Sequence, residues 1–268
     1  MLIDTHCHLD AAEFDADRAA VLQAARAGGV GGFLVPAVGA SNFDAVAALS
    51  AAHPDVAHAF GIHPMYVGQA SESDLDVLRQ RLAGGGAVAV GEIGLDGFVQ
   101  DGSMPLQLRY FEAQLRLAKA FELPVVLHVR RAQDEILKLL RRIRPPGGIA
   151  HAFNGSVQQA EAFIKLGFRL GFGGAMTYAG SRRIRQLAAE LPLSAIVLET
   201  DAPDIPPAWG AGLRNDPANL PRFAEVLAGL RGMSVDEVIE ATGANALAAV
   251  PGLKQLAGVS AALPPESR

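Results

Sequence analysis

The chain has 268 residues, of which 50% are hydrophobic and 19% are charged, and its formal net charge is −5. This composition is typical of a folded globular protein, and the acidic balance argues against a large non-specific nucleic-acid surface, which would need many Lys and Arg residues. No run approaches the roughly 18 apolar residues of a membrane span. The early Asp4 and His6 are unlike a signal peptide, so we expect a cytoplasmic protein without membrane attachment.

Apolar runs rich in Val, Ile, Leu and Phe alternate along the chain with segments of helical period. The runs predicted to be strands are residues 2–5, 32–36, 56–61, 88–92, 125–128, 148–151, 168–172 and 196–199. A helix is predicted after each strand, and one more helix closes the series: residues 15–27, 42–52, 73–83, 105–121, 133–143, 157–166, 181–191, 217–230 and 234–247.

Eight strand and helix units in a chain of this length predict a (β/α)8 TIM barrel, whose usual size is about 250 residues. A doubly wound open sheet is the alternative, but it usually has fewer strands and a single binding crevice. We therefore assign the chain to the α/β class as a single-domain barrel. The barrel is expected to span residues 1–253, with residues 254–268 as a C-terminal tail.

Two histidines, His6 and His8, stand two residues apart at the end of the first predicted strand. Side chains at i and i+2 of a strand point to the same face, so this pair can supply half of a metal site. A histidine pair near a chain start is also common as exposed polar sequence, and the pair alone does not decide between the two. Cys7 should point to the opposite face as a small core residue, since a single cysteine cannot form an internal disulfide.

Further potential metal ligands end later strands. Glu92 ends the fourth predicted strand, His128 the fifth and His151 the sixth, and Asp201 follows the eighth. Each could singly be a helix cap, a turn residue or a core histidine. In a barrel, however, the carboxyl ends of all strands meet on one face, so these residues converge despite their separation in sequence. So many polar groups are costly to bury together unless metal ions lie among them, and we predict a metal site.

An ordered set of motifs carries a resemblance to a known family. The motifs are Asp-Thr-His-Cys-His-Leu-Asp from Asp4, Gly-Ile-His-Pro from Gly61, Gly-Glu-Ile-Gly-Leu-Asp from Gly91, Leu-His-Val-Arg from Leu127, His-Ala-Phe-Asn-Gly from His151 and Glu-Thr-Asp-Ala-Pro from Glu199. Residues 214–220 and 242–246 match the same pattern. Over residues 1–253 the chain resembles the TatD family of metal-dependent deoxyribonucleases, within the amidohydrolase superfamily.

The resemblance implies a barrel that holds one or two divalent ions and cleaves phosphodiester bonds, often from the 3′ end of DNA. Carried over residue by residue, it places one ion on His6, His8 and Asp201. It places the other ion on His128 and His151, with Glu92 bridging the two. We expect two ions per chain: imidazole-rich ligation suits Zn, Mn, Fe or Ni, whereas Mg prefers oxygen ligands. Two such ions leave the site positively charged, which favours an anionic substrate.

The expected reaction is attack on phosphorus by a water whose pKa the ions lower, with Asp201 as the general base and Glu92 as the second catalytic residue. Arg182 and Arg183 open the helix after the seventh strand, where they can meet a phosphate or simply start a solvated helix. The residues expected to contact the substrate phosphate are His63, Arg130, Arg182 and Arg214.

The chain departs from the usual family pattern at Gly97, Asn154 and Asp204. These positions lie where substrate would be contacted, so they bear on substrate identity more than on hydrolysis. A metal-dependent hydrolase of amide or ester bonds is the alternative function, because a metal-activated water also attacks carbonyl carbon. A metal-binding or partner-binding protein without activity is a third reading. The expected partner is DNA or another phosphodiester, with no obligate protein partner, and the chain is expected to be a monomer.

Overall fold

A computed structural model describes residues 1–99 and 102–257. In these residues eight strands form one sheet, in which every neighbouring pair is parallel and the strand order follows the chain. The strands are β1 (Leu2–Asp4), β2 (Val30–Pro36), β3 (Val56–Phe60), β4 (Ala89–Asp96), β5 (Val125–Arg130), β6 (Gly148–Ala150), β7 (Phe168–Phe172) and β8 (Ile196–Leu198).

The helices alternate with these strands and pack an apolar side against the sheet. In the amphipathic α5, for example, Ile136, Leu140 and Ile143 are buried. Capping boxes fix two of the helix starts, Ser156 with Gln159 and Ser234 with Glu237. The α-helices are α1 (Arg18–Ala27), α2 (Phe43–Ala52), α3 (Glu72–Ala83), α4 (Met104–Ala120), α5 (Gln133–Ile143), α6 (Val157–Lys165), α7 (Arg182–Glu190), α8 (Leu220–Arg231) and α9 (Val235–Ala249).

The first and last strands approach each other and bring the sheet nearly to a closed barrel. The Thr5 N–H donates to the Leu198 carbonyl at 3.2 Å, and the Thr5 hydroxyl donates to the same oxygen at 3.0 Å. The fully buried Asp4 carboxylate accepts bonds from the N–H and the hydroxyl of Thr200 at 2.9 and 2.6 Å. These bonds hold the carboxyl ends of β1 and β8 side by side.

The barrel interior is filled by small and branched side chains, including Ala57, Ala59 and Val126. Residues of α9 and of the segment after it, such as Val250 and Leu253, belong to the same apolar cluster. The Asn245 side chain anchors α9 by donating to the carbonyls of Leu193 and Ile196, both at 2.8 Å. The helix α9 and the segment after it therefore pack at the amino-terminal end of β8. The carboxyl ends of the strands stay free for a site.

The structure confirms the α/β class and the (β/α)8 barrel. All eight predicted strands and nine predicted helices are present, with shifted ends. β1 ends at Asp4, because the Asp4 carboxylate also accepts the His6 N–H and turns the chain away from the sheet. β4 continues beyond Glu92 to Asp96, since Gly94, Leu95 and Asp96 still pair with β5.

The predicted tail begins within a short 3-10 helix, Pro251–Gln255, and Leu256 still packs in the barrel cluster. Residues 258–268 of that tail lie outside the described residues. Cys7 is fully buried, as expected from its place in the sequence. Within residues 1–99 and 102–257, no helix combines the length and apolar character required to cross a bilayer.

Gly148, the first residue of β6, tests how tightly the barrel strands pack. Its φ is +139°, and a Cβ atom there would overlap the Val125 carbonyl oxygen on β5. We expect Gly148→Ala to lower the free energy of unfolding by about 2 kcal/mol or more, through backbone strain and overpacking. Gly229→Ala is the matched control, because Gly229 lies exposed in α8 with no atom near its Cβ position. That change should stabilise by up to about 1 kcal/mol. Urea unfolding of the two variants measures both free energies of unfolding. Equal changes in the two variants would contradict the close contact between Gly148 and the Val125 carbonyl.

Candidate metal centre and its cleft

The side chains predicted as metal ligands meet at the carboxyl ends of the strands. Two come from the turn after β1, one each from β4 and β5, one from the turn after β6 and one from the turn after β8. They form groups whose potential ligand atoms lie within 4.8 Å of one another. The groups are His6 with His8 and Asp201, His6 with Glu92 and His151, and His63 with Glu92 and His128.

Glu92 occupies the middle of this cluster, and one of its oxygens faces the first histidine pair. Glu92 Oε2 lies 3.2 Å from His6 Nε2 and 3.6 Å from His8 Nε2. Asp201 Oδ1 faces the same two nitrogens at 3.5 and 3.7 Å. The two imidazole nitrogens themselves are 3.2 Å apart. A Glu92 oxygen and an Asp201 oxygen therefore both face the same pair of imidazole nitrogens.

The other oxygen of Glu92 faces a second group of imidazoles. Glu92 Oε1 lies 3.0 Å from His128 Nδ1 and 3.4 Å from His63 Nε2. His151 Nε2 is 3.8 Å from the same oxygen and 3.9 Å from Asp201 Oδ1, so this ring stands between the two groups. The two carboxylate oxygens of one buried residue thus serve two separate sets of nitrogens.

The spacing of the first set fits a bound cation. Donors placed tetrahedrally at about 2.1 Å from a metal lie about 3.4 Å from one another. The His6 and His8 nitrogens lie 3.2 to 3.7 Å from each other and from the facing oxygens of Glu92 and Asp201. Imidazole nitrogens and carboxylate oxygens are also the donors that Zn, Mn, Fe and Ni accept in proteins. These residues therefore fit a divalent ion in both chemistry and distance.

Two further carboxylates stand behind the histidines and were missed from the sequence. Asp96 Oδ2 lies 3.0 Å from His128 Nε2, and Glu199 Oε1 lies 3.2 Å from His151 Nδ1. A carboxylate that holds the proton of one ring nitrogen leaves the other nitrogen free to bind a metal. Both residues close or open a motif already noted, Asp96 at the end of Gly-Glu-Ile-Gly-Leu-Asp and Glu199 two positions before Asp201. Their place within these motifs was the sequence feature that could have identified them.

His63 differs from these histidines in where its proton resides. The Met65 N–H donates to His63 Nδ1 at 3.1 Å. A ring nitrogen that accepts a hydrogen bond carries no proton, so neutral His63 carries its proton on Nε2, the atom that faces the cluster. Burial lowers the pKa of His63 and keeps the ring neutral. His63 is thus arranged to donate a hydrogen bond into the site.

Burial and mutual charge shift the pKa values of the cluster in opposite directions. Burial raises the pKa of Asp201 to about 6, although His151 and His8 act against it. Burial opposes protonation of His151, but Asp201, Glu199 and Glu92 outweigh it and raise the pKa of this ring to about 10. Burial also acts to raise the pKa of Asp96, yet its hydrogen bonds, that to His128 foremost, lower it to about 2. His151 is thus the imidazole of the cluster whose protonated form the surrounding carboxylates favour most.

The cluster forms the floor of a cleft of about 1160 Å³. The predicted contacts His63 and Arg130 line this cleft. Arg183, for which the sequence left open a phosphate contact or a solvated helix start, also lines it, as does Arg131, which was not predicted. Arg131 directly follows β5 and Arg183 lies in the first turn of α7. The cleft therefore has a basic side above β5 and β7.

The other two predicted arginines, Arg182 and Arg214, lie outside the cleft lining. Arg182 is exposed but is not part of the cleft lining, because one residue along a helix turns a side chain by about 100° and Arg183 takes the inward place. Arg214 is held elsewhere: its guanidinium donates to both Asp17 carboxylate oxygens at 2.8 and 2.7 Å and to the Glu13 carbonyl. Contact of Arg182 and Arg214 with a substrate stays a prediction, and Arg183 and Arg131 are the arginines that line the cleft beside Arg130.

The unusual Gly97 explains how the basic side is held. The Gly97 N–H donates to the Arg130 carbonyl at 2.7 Å, and a Cβ at Gly97 would come within 2.5 Å of the Arg131 carbonyl oxygen. This close approach puts the half-exposed Phe98 ring against two guanidinium groups, 4.0 Å from that of Arg130 and 4.7 Å from that of Arg131. Cation–π contacts of this kind order long side chains at a surface.

Comparison with known proteins identifies the family. A family model described as TatD related DNase matches residues 3–250. The metal-dependent hydrolase YjjV of Escherichia coli K12, named as uncharacterized, is 43% identical over 242 residues, which is 89% of this chain and 93% of that protein. Human deoxyribonuclease TATDN3 is 33% identical and covers 95% of this chain and 96% of its own.

The crystal structure of YjjV, described as a TatD homolog, superposes with a TM-score of 0.90 at 41% identity. The superposition covers 93% of this chain and 98% of that one. The family model extends over nearly the whole barrel, and the sequence and structural relatives agree with it. The chain therefore belongs to the TatD family.

Proposed function

We propose that this metal-dependent hydrolase cleaves phosphodiester bonds, and that its substrate is DNA shortened from the 3′ end. The observation that carries the proposal is Glu92, whose two oxygens face two separate groups of imidazoles on the floor of a cleft lined by arginines. A site for two cations beneath guanidinium groups suits a substrate that is anionic at the reacting atom. The names of the family model and of human TATDN3 support the same substrate class.

The geometry supports two sites that share Glu92. His6, His8 and Asp201 would hold one divalent ion beside Glu92 Oε2. His128 and His151 would hold the other beside Glu92 Oε1, through the nitrogens that Asp96 and Glu199 leave free. The nature of the ions follows the donor set, which suits Zn, Mn, Fe or Ni more than Mg.

Four side chains on the floor and wall of the cleft are given roles in the proposed reaction. Divalent ions held by these side chains would polarise the phosphoryl oxygens and lower the pKa of a water. Asp201 is the proposed general base, since its carboxylate borders the cluster and also lines the cleft. His63 donates a hydrogen bond from Nε2 to the scissile phosphate, and Arg130 and Arg183 hold its outer oxygens.

An amide or ester hydrolase is the competing function. The same cluster could act on a carbonyl carbon. The three arginines on the cleft wall favour the phosphodiester, because a neutral amide needs no cationic contacts. We also retain the predictions of a cytoplasmic monomer without an obligate protein partner.

Metal binding can be tested without measuring activity. We expect the chain, stripped by a chelator and titrated with Mn or Zn, to bind two ions and to gain about 2.7 kcal/mol of stability at an ion concentration a hundredfold above Kd. A His6→Asn/His8→Asn variant should bind one ion fewer by mass spectrometry. His53→Asn is the control, since His53 lies beside Arg26 and outside the cluster. Unchanged stoichiometry in the double variant would contradict the first site.

The proposed base can be tested on single-stranded DNA labelled at its 3′ end. We expect metal-restored release of labelled nucleotide, and a loss of about 10²-fold or more in Asp201→Asn, because the amide cannot accept the proton. The rate of nucleotide release by Glu92→Gln should fall by a similar factor, because the carboxylate shared by the two proposed metal sites is lost. Turnover of Asp201→Asn close to that of the wild type would remove its assigned role. No release with any ion, despite two bound metals, would favour the amide or ester alternative.

Two adjacent arginines on one helix test which guanidinium meets the substrate. Arg183→Ala should raise the KM for an oligonucleotide and reduce the slope of log KM against log salt by about one, because one phosphate contact is lost. Arg182→Ala is the matched control, since it removes the same charge from the neighbouring position outside the cleft lining. Equal effects of the two changes would show that only general surface charge matters.

A further inference from the structure

One motif that the chain shares with its family lies outside the metal cluster. It is Arg-Asn-Asp-Pro from Arg214, in the segment between β8 and α8. Its second residue, Asn215, is fully buried and does not line the cleft. A buried side-chain amide is costly unless its donors and its acceptor are paired, so the partners of Asn215 show what this residue holds in place.

The side-chain nitrogen of Asn215 faces backbone carbonyls on both sides of Asp201. Nδ2 lies 2.8 Å from the carbonyl oxygen of Thr200, the residue directly before Asp201. It also lies 2.9 and 3.2 Å from the carbonyl oxygens of Asp204 and Ile205, which follow Asp201. One donor group therefore joins the start and the end of the turn in which Asp201 stands.

The other polar atoms of Asn215 fix the orientation of its side chain. Its Oδ1 accepts the Asp216 N–H at 2.8 Å and the Asn219 amide at 3.0 Å, and its own backbone N–H donates to the Pro203 carbonyl at 2.9 Å. A backbone N–H can only donate and a backbone carbonyl can only accept, so the side-chain amide cannot be reversed. A residue without an amide at this position would leave the carbonyls of the turn without their donor.

The turn needs such support because the backbone of Asp201 is left-handed. Its φ is +60°, a conformation that residues other than glycine seldom adopt unless the surrounding structure holds them there. The Asp204 N–H donates to the Asp201 carbonyl at 2.7 Å and closes the turn. In this conformation Asp201 Oδ1 lies 3.5 and 3.7 Å from the Nε2 atoms of His6 and His8. A right-handed backbone at Asp201 would point the carboxylate in another direction.

Resting on the role proposed above for Asp201, we propose that Asn215 is a positioning residue for this carboxylate. It contacts neither the proposed ion nor the substrate. It holds the turn after β8 in the conformation that directs Asp201 towards the first histidine pair. Loss of Asn215 should therefore affect the functions of Asp201 in particular, which are binding of the first ion and acceptance of the proton.

The first test measures ion affinity, which does not require turnover. We expect calorimetric titration of the stripped protein with Mn to show that Asn215→Ala weakens one of two ions about tenfold or more and leaves the other unchanged. Asn245→Ala is the matched control, because this buried amide also donates to two carbonyls, at the opposite end of β8. The control should lose stability and keep both affinities.

A double-mutant cycle separates positioning of Asp201 from a general structural role. In the Asp201→Asn background, Asn215→Ala should weaken the same ion by less than about twofold further, because the carboxylate that it positions is already absent. Asn245→Ala should have the same small effect in both backgrounds. An equal loss of affinity on adding Asn215→Ala to the wild type and to Asp201→Asn would overturn the proposal.

The remaining outcomes are also decisive. Unchanged affinity for both ions in folded Asn215→Ala overturns the positioning role and leaves the metal site intact. If that variant does not fold, Asn215→Ser, which keeps one hydroxyl donor, enters the same cycle. Loss of folding in both variants, while Asn245→Ala folds, assigns Asn215 to the fold alone and overturns the proposal.

Failure of the proposed function gives a different result. If Asp201→Asn itself binds both ions as the wild type does, the ligand role of Asp201 is removed and the role of Asn215 is overturned with it. Because ion affinity is measured without a substrate, these results stand whether the enzyme cleaves DNA or an amide. Shortening of DNA is decided separately by the nucleotide-release assay.

Discussion

The structure depends on one buried carboxylate, that of Glu92. It is only 2% exposed, and each of five imidazoles has a nitrogen within 3.8 Å of one of its oxygens. Burying a carboxylate in apolar surroundings is expensive unless positive charge or donors surround it, so the cluster around Glu92 must supply both. Close strand packing brings the donors near: a Cβ on Gly61 or Gly91 would come within 2.6 Å of atoms of the neighbouring strand. Gly61, directly after β3, and Gly91 in β4 are therefore required for the close packing that brings the metal-ligand candidates together.

Most of the fold and the core of the site could be predicted from the sequence. The strands of a parallel barrel are buried on both sides, so they appear as continuous apolar runs, and the alternation with helices gave the topology. Once the topology was known, residues as distant as His6 and Asp201 had to meet, because strand ends converge whatever their separation along the chain. The pairing of His6 with His8 was predicted from a strand that carries both side chains on one face, whereas β1 ends at Asp4. The convergence of strand ends does not need that extension, so the two histidines still meet the other ligands.

The details that the sequence did not reveal are those decided by side-chain direction and by competition for partners. The sequence does not distinguish Arg182 from Arg183, because they are adjacent and of the same type. Only the rotation of α7 about its axis decides which of them lines the cleft. Arg214 matched the family pattern as well as Arg130 did, yet Asp17, 197 positions away, takes its guanidinium. Asp96 and Glu199 were visible within motifs, but their contacts with histidines appear only when β4 and β5, or β6 and β8, are placed together. Such choices depend on tertiary geometry that no local pattern contains.

The closure of the barrel and the metal cluster are physically coupled. The hydrogen bonds between Asp4 and Thr200 join the ends of β1 and β8. Next to them, the Asp201 N–H donates to the His6 carbonyl at 2.8 Å. The residues proposed to hold the first ion therefore emerge from the seam where the sheet closes. A cation held there would draw together the same two chain segments that the seam joins, so its binding would stabilise the barrel where the first and last strands meet. The seam in turn fixes His6 and Asp201 before any ion arrives. This preorganisation lowers the entropic cost of assembling ligands from opposite ends of the chain, which explains why the cluster stands so close to metal-binding distances.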